Sequence, residues 1–347
     1  MNINDNNTIL EAVEKAVNHK THFYCYRLPG ETQLHFGAQI IEQHTPIGFL
    51  VHPFTEDSNT PISYISAQFD AVKFLKLPFA SLPTTNCRQI SVESTTKEDY
   101  IKQAEQCISD LKAGTLKKIV LSRVIESEYS VISWKRVFCK LLENNPNAFV
   151  FIFHAEDAGC WIGASPEQYL SFHRNKLATM ALAGTRLANT PGPWGDKEIE
   201  EQKIVADYIA EKLNTAKIEF SMSPLYTRNA GNVEHLCNDF DGRVNTPSQV
   251  DKIKSYLHPT PALAGLPSKE SVKYIKNIEN HNRRYYGGYI GPVDAWGNFD
   301  FFVNLRSLEF DSERYCVYTG GGLTVDSDPE KEWQETEHKA RPLLNLL

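Results

Sequence analysis

Three residues near the C-terminus, Glu332, Glu335 and Lys339, stand at i, i+3 and i+7 of a segment that reads as a helix opening at Asp328-Pro329. Proline in a first helical turn with acids close behind is ordinary helix-start chemistry. The spacing projects all three side chains from one face. Immediately upstream, Thr319-Gly-Gly-Gly-Leu-Thr324 reads as a strand end and a glycine turn. Two carboxylates and an ammonium facing three glycines suit a divalent cation bound together with a small anion. An isolated E-x-x-E-x-x-x-K face is ordinarily just solvated, so other residues have to decide.

Several do. Lys118 begins the apolar run Lys118-Ile-Val-Leu-Ser-Arg123, whose alternation sends Lys118, Val120 and Ser122 to one face and Ile119, Leu121 and Arg123 to the other. An ammonium beside apolar surface is costly unless paired, and burial moves a lysine towards the range of a general base. Glu167 follows the rigid Pro166 in the small-residue turn Gly163-Ala-Ser-Pro-Glu167. Gly184 and Thr185 close another strand and offer backbone N–H groups and a hydroxyl to an anion. Of the acids at 198, 200 and 201, the first two match a helix dipole, whereas Glu201 lies a turn in and is the better inward metal ligand. Arg306 ends the hydrophobic strand Phe299–Arg306, a place that suits a bidentate grip on a carboxylate. The proline-rich, non-periodic segment Leu257–Pro267, which contains Ala262 and Leu263, reads as a pocket wall. His235, His258 and His281 follow no metal-ligand spacing.

The elements that must position these groups alternate between two periods. Thr96 with Asp99 is a helix-start signal, followed by apolar Ile101, Ala104, Ile108 and Leu111, and Gly114 ends that helix. Strands are predicted at 118–126, 148–154, 160–164, 168–173, 176–183, 298–309 and 315–318, and helices at 133–144 and 196–213. The short turns at 173–176 and 310–314 favour antiparallel pairing. The pattern predicts an α+β fold, layered, with helices outside and the charged motifs at sheet ends. Residues before 96 mix short strand-like pieces with turns at Pro53, Pro61, Pro78 and Pro83.

The chain of 347 residues is 41% hydrophobic and 11% aromatic, enough for a sizeable core, and carries a net charge of −7. That balance argues against a nucleic-acid or membrane-surface binder. The start of the chain has no signal-peptide apolar core. The most apolar stretch, 148–153, is far too short to span a bilayer. Seven scattered cysteines without C-x-x-C read as reduced thiols. The expectation is a cytoplasmic monomer.

Taken in order, the motifs K-I-V-L-S-R, I-G-A-S-P-E, L-A-G-T-R, H-P-T-P-A-L-A-G-x-P, Y-Y-G-G-Y-I-G and T-G-G-G-L-T-x-x-S-D-P-x-x-E-W-x-E-T-x-x-K resemble those of the chorismate-utilising enzymes. This family includes isochorismate synthases, anthranilate synthase component I, aminodeoxychorismate synthases and salicylate synthases. The resemblance runs from Thr96 to the C-terminus. It implies a sandwich of two large, mostly antiparallel sheets with helices outside, formed by residues 1–347 as one chorismate-binding domain. Residues 1–95 would be its variable part and 96–347 its catalytic region.

The resemblance further implies Mg²⁺ held by Glu201 and Glu335, with Glu332 close by through water. Arg306, Gly320 and Lys339 would bind the enolpyruvyl carboxylate of chorismate, with Gly184 and Thr185 near the ring carboxylate. Ala262, Leu263 and His235 would line the pocket. Members that install ammonia carry glutamine where this chain has Lys118, and those with a nucleophilic lysine carry it where this chain has Ala183. That combination implies water addition at C2, with Lys118 as base and Glu167 as the acid that releases the C4 hydroxyl. The product would be isochorismate, feeding menaquinone or catechol-siderophore synthesis. Alternatives are a salicylate synthase, which goes on to eliminate pyruvate, and a non-catalytic binder. Gln202, where relatives often have histidine, and His281-Asn282-Arg283, where an acid-bearing triplet is commoner, are departures expected to leave the chemistry untouched.

Overall fold

The run Phe149-Val-Phe-Ile-Phe153 explains the architecture. It alternates between two apolar environments and so must be covered on both faces. In the computed structural model, which describes residues 5–82, 89–128, 133–230 and 233–347, this is strand β6. Its odd residues Phe149, Phe151 and Phe153 meet Phe49, Trp161 and Phe302 in an aromatic core between two sheets. The Phe149 and Phe302 rings stack at 4.2 Å. Its even residues Val150 and Ile152 pack with Ile9, Phe138 and Leu141 of outer helices. Truncating such a ring, as in Phe149→Ala, costs about 3–5 kcal/mol. Pro83 and Cys87 lie outside the described residues.

The helices are α1 (Asn6–Asn18), α2 (Ala71–Leu75), α3 (Lys97–Lys112), α4 (Trp134–Asn144), α5 (Asp196–Thr215), α6 (Pro247–Leu257), α7 (Ser268–Ile278) and α8 (Pro329–Leu344). The strands are β1 (His22–Arg27), β2 (His35–Gln39), β3 (Gly48–His52), β4 (Ser63–Ser66), β5 (Lys118–Glu128), β6 (Phe149–Ala155), β7 (Gly159–Ser165), β8 (Gln168–His173) and β9 (Lys176–Leu187). They continue with β10 (Glu219–Met222), β11 (Tyr226–Ala230), β12 (Val233–Arg243), β13 (Gly265–Leu266), β14 (Tyr289–Val293), β15 (Phe299–Val303), β16 (Ser307–Phe310) and β17 (Arg314–Leu323).

One sheet runs β13-β5-β17-β16-β7-β6-β1-β2 and the other β10-β12-β9-β8-β15-β14-β3-β4, with β11 also paired to β12. The hairpins expected at 173–176 and 310–314 join β8 to β9 and β16 to β17, both antiparallel. The layered α+β expectation is met.

Two expectations need correction. The strand predicted over 298–309 is broken: β15 belongs to one sheet and β16 to the other, and Asn304, Leu305 and Arg306 carry the chain across. Arg306 therefore sits in a crossover, at φ +48°, a strained conformation for a residue with a Cβ. Ser165-Pro166-Glu167 makes the reverse crossing from β7 to β8, and the two crossings are hydrogen-bonded. The Val303 N–H donates to the Glu167 carbonyl at 3.0 Å and the Ala164 N–H to that of Arg306 at 3.2 Å. Apolar period alone cannot show a change of sheet, because both sheets bury the same residue types.

The second correction concerns the glycines. Gly320, Gly321 and Gly322 do not form a turn but lie inside β17, opposite Ser122, Leu121 and Val120 of β5. Their lack of side chains serves close approach: a Cβ at Gly322 would stand 2.8 Å from Lys118 Cε. No described helix is long and apolar enough to cross a membrane. The six described cysteines are free thiols.

Candidate active site

Strand β5, the glycines of β17, the two crossovers, the end of β9 and the facing helices α5 and α8 surround one cleft. Glu167, Gly184, Thr185, Glu201, His235, Ala262, Leu263, Arg306, Gly320, Glu335 and Lys339 all line it. Lys118 and Glu332 do not; they lie behind its wall.

Lys118 is 2% exposed. It is not an unpaired ammonium, since its Nζ donates to Glu201 Oε1 at 2.6 Å. Burial by itself would raise the Glu201 carboxyl, but Lys118, with Lys339 and Lys197 beyond it, holds it below the ordinary range. Helix α5 brings Glu201 to this place because its stripe of Val205, Ile209 and Leu213 is buried against the sheet. Gln202, one residue on, points away and donates to the Ala181 carbonyl and to Asn238 Oδ1, both at 3.0 Å.

Glu167 is the opposite case. Its carboxyl is buried at the first crossover, and burial pushes it up to about 8, with Lys118 and Arg306 opposing through space. Near neutral pH it therefore holds a proton. Arg306, lowered by burial to about 10, stays cationic. It donates to His235 Nε2 at 2.9 Å. That leaves the His235 proton on Nδ1, which faces the Gly184 carbonyl at 3.1 Å and Thr185 Oγ1 at 3.2 Å. Burial, then Arg306 and Lys339, lower His235 to about 3, so the imidazole is neutral and acts as a spacer. Gly184, at φ +66°, is the extra residue where the pairing of β9 with β12 shifts register. Such a bulge re-aims neighbouring groups.

Helix α8 is capped by Asp328, whose side chain accepts from the Lys331 N–H, with Pro329 at its first position. From it Lys339 Nζ donates to Glu335 Oε1 at 2.6 Å and to the Gly320 carbonyl at 3.0 Å. Burial disfavours the Lys339 ammonium, but Glu335 and more distant anions lift it above the usual lysine range. Glu332 is 2% exposed. Its Oε1 accepts from Ser327 Oγ at 2.8 Å and from Lys197 at 3.3 Å.

Sequence reasoning missed Arg283, Lys197 and Glu198, which also line the cleft. Arg283 belongs to the triplet expected to leave the chemistry untouched. It ties the wall to β5, donating to the Leu263 carbonyl at 2.8 Å and the Val120 carbonyl at 2.6 Å. Its partner Glu279 accepts from the Ser122 N–H at 2.7 Å, and His281 Nε2 lies 2.9 Å from Ser122 Oγ. An i, i+4 Glu–Arg pair beside the glycine run was the available signal.

The donor set fits a hard divalent cation. A Cβ at Gly321 would stand 3.3 Å from Glu332 Oε2 and 3.7 Å from Glu335 Oε1, and one at Gly322 would stand 3.1 Å from Glu201 Oε1. Glu332 Oε2 is buried without a hydrogen-bond partner. Among the described residues no three acidic, histidine or cysteine side chains cage a metal by themselves. A cation that keeps waters and takes one or two carboxylates suits that arrangement; a closed zinc-type cage does not.

Comparison with known proteins agrees with this geometry. Residues 38–347 match the family model described as chorismate binding enzyme. The isochorismate synthase EntC of Escherichia coli is 27% identical over 273 residues, 75% of this chain and 69% of EntC. The vibriobactin-specific isochorismate synthase of Vibrio cholerae is 28% identical over 324 residues, 87% of this chain and 80% of that protein. The structure of MenF, the menaquinone-specific isochorismate synthase of E. coli, superposes with a TM-score of 0.78 at 21% identity, covering 97% of this chain and 91% of MenF. The chain belongs to the chorismate binding enzyme family.

Proposed function

We propose that this protein is an isochorismate synthase, a Mg²⁺-dependent isomerase that adds water at C2 of chorismate and releases the C4 hydroxyl. One observation carries the reading. A carboxyl held protonated near neutral pH, Glu167, lines a cation-rich cleft, and a buried lysine, Lys118, stands directly behind Gly322 of its wall. Glu167 gives its proton to the departing C4 oxygen while the ring double bonds shift. Lys118, acting as the free amine, accepts the proton of the attacking water. One water enters and one leaves, so the reaction is an isomerisation, and proton exchange with solvent resets both groups.

The remaining residues bind and orient. Arg306 and Lys339 oppose the enolpyruvyl carboxylate beside the Gly320 backbone, Gly184 and Thr185 lie near the ring carboxylate, and Ala262 and Leu263 form the wall. His235 keeps Arg306 in place. Glu201 and Glu335 would hold Mg²⁺, with Glu332 in support, and the cation would supply positive charge to the ring carboxylate. Glu201 has two claims on it, because it also pairs with Lys118 at 2.6 Å.

The whole chain, 1–347, acts as one unit in this reading. In support, β1 and β2 extend one sheet and β3 and β4 the other. The protein works as a cytoplasmic monomer whose partners are chorismate and isochorismate. Its product would feed menaquinone or catechol-siderophore synthesis, the routes named for relatives. Pure protein incubated with chorismate and Mg²⁺ should form isochorismate, lose activity in EDTA and regain it with Mg²⁺. Stoichiometric pyruvate with fluorescent salicylate would assign a salicylate synthase instead, and no conversion at all would leave a binder.

A further inference from the structure

Three polar atoms converge on one side of Gly321. A Cβ there would lie 3.3 Å from Glu332 Oε2, 3.7 Å from Glu335 Oε1 and 4.0 Å from the Tyr100 hydroxyl. Tyr100, on α3, is fully buried, and its hydroxyl and Glu332 Oε2 both lack a hydrogen-bond partner. Leaving a buried donor and a buried acceptor unmet is costly, and native interiors rarely do so. The tyrosine cannot turn away. Its ring stands edge-on to Trp333 at 5.5 Å, and the Arg123 guanidinium lies over Trp333 at 4.0 Å. Arg123 is itself anchored to Thr336 Oγ1 at 2.7 Å. Neither Tyr100 nor Glu332 lines the cleft, whereas Gly321 does. A donor seeking an acceptor, an acceptor seeking a donor and a glycine that leaves room together describe a water site.

We propose that Tyr100 is a positioning residue for the cation site, donating to a water that in turn donates to Glu332 Oε2 and Glu335 Oε1 and so fixes the first turns of α8. The proposal rests on the metal assignment under the proposed function and adds to it a residue from a different helix. Outer groups of this kind orient metal ligands, and losing one typically weakens metal binding about ten- to a hundredfold. Gly321 is required because any side chain would fill the space.

The test is Tyr100→Phe in the full chain, with Mn²⁺ titrated in and the free-ion EPR signal followed, with and without chorismate. The variant is expected to bind Mn²⁺ about ten- to a hundredfold more weakly. Its KM for Mg²⁺ should rise in parallel while KM for chorismate at saturating Mg²⁺ stays the same. Its Tm in EDTA should hold, since the ring and its packing stay and only a hydroxyl bonded to water has gone. Combining Tyr100→Phe with Glu332→Gln should cost little more than the larger single change, as expected of two residues sharing one water. Unchanged Mn²⁺ affinity, or fully additive losses, would overturn the role of Tyr100. A parent chain that binds no Mn²⁺ under either condition would instead overturn the metal assignment.

Discussion

Two glutamate–arginine pairs lie close together in this molecule and behave in opposite ways. Glu279 accepts from the Nε of Arg283 at 2.9 Å, from that residue's Nη2 and from the Ser122 N–H. Burial works against the Glu279 anion, but Arg283 and these donors hold its carboxyl below the ordinary range. Glu167 is buried too and feels Arg306 and Lys118 only through space, and it is pushed up to about 8. Arg306 spends a hydrogen bond on a neutral imidazole, whereas Arg283 grips a carboxylate and two backbone carbonyls. The residue types match, and direct donors decide the ionisation. A closed pair builds scaffold, while a carboxyl without such donors stays an acid that can deliver a proton.

The contrast can be broken by experiment. Glu167→Gln is expected to lower kcat about 10²–10⁴-fold, the usual contribution of a positioned acid, with the Tm unchanged. A variant that kept its rate would remove Glu167 from the chemistry. Glu279→Gln should do the reverse at the level of the fold: stranding the buried Arg283 should destabilise by about 3–5 kcal/mol in urea unfolding. A stable Glu279→Gln variant would show that the closed pair is not scaffold. Arg306→Lys keeps the charge and loses the fork, so KM for chorismate should rise about tenfold, ~1.4 kcal/mol. An unchanged KM would take the carboxylate grip away from Arg306.

The smallest and most diagnostic effect is with pH. Glu167 keeps its proton below about 8 and loses it as pH rises through that value, so kcat/KM should fall on the alkaline side, and Glu167→Gln should erase that limb. For stability the signs oppose each other. The raised Glu167 favours the fold at low pH and loses that contribution as pH rises through about 8. The depressed Glu279 stabilises above the ordinary carboxylate range and loses its contribution as pH falls through its lowered value.

Much of the site was legible because its motifs are local. Thr96 and Asp328 cap the helices they mark, α3 and α8, and helical spacing alone puts Glu335 and Lys339 on one face. Arg283 was passed over because, apart from the local Glu279 at the C-cap of α7, its partners come from β5 and the wall, which no sequence window joins to it. Arg306 was placed on a strand because an apolar run looks the same whether it stays in one sheet or changes to the other. Glu335 was read as a direct ligand and Glu332 as a neighbour acting through water, and of the two Glu335 lines the cleft while Glu332 does not.

By itself the sequence determined the order of the motifs, the helices and strands that carry them and the kinds of charge brought to the ligand, since these depend on spacing and period along the chain. Only the tertiary structure decided which carboxyl stays protonated, which lysine is paired and where the chain changes sheets. Those outcomes depend on burial and on hydrogen-bond donors arriving from residues far apart in sequence, and neither is a property of any local stretch.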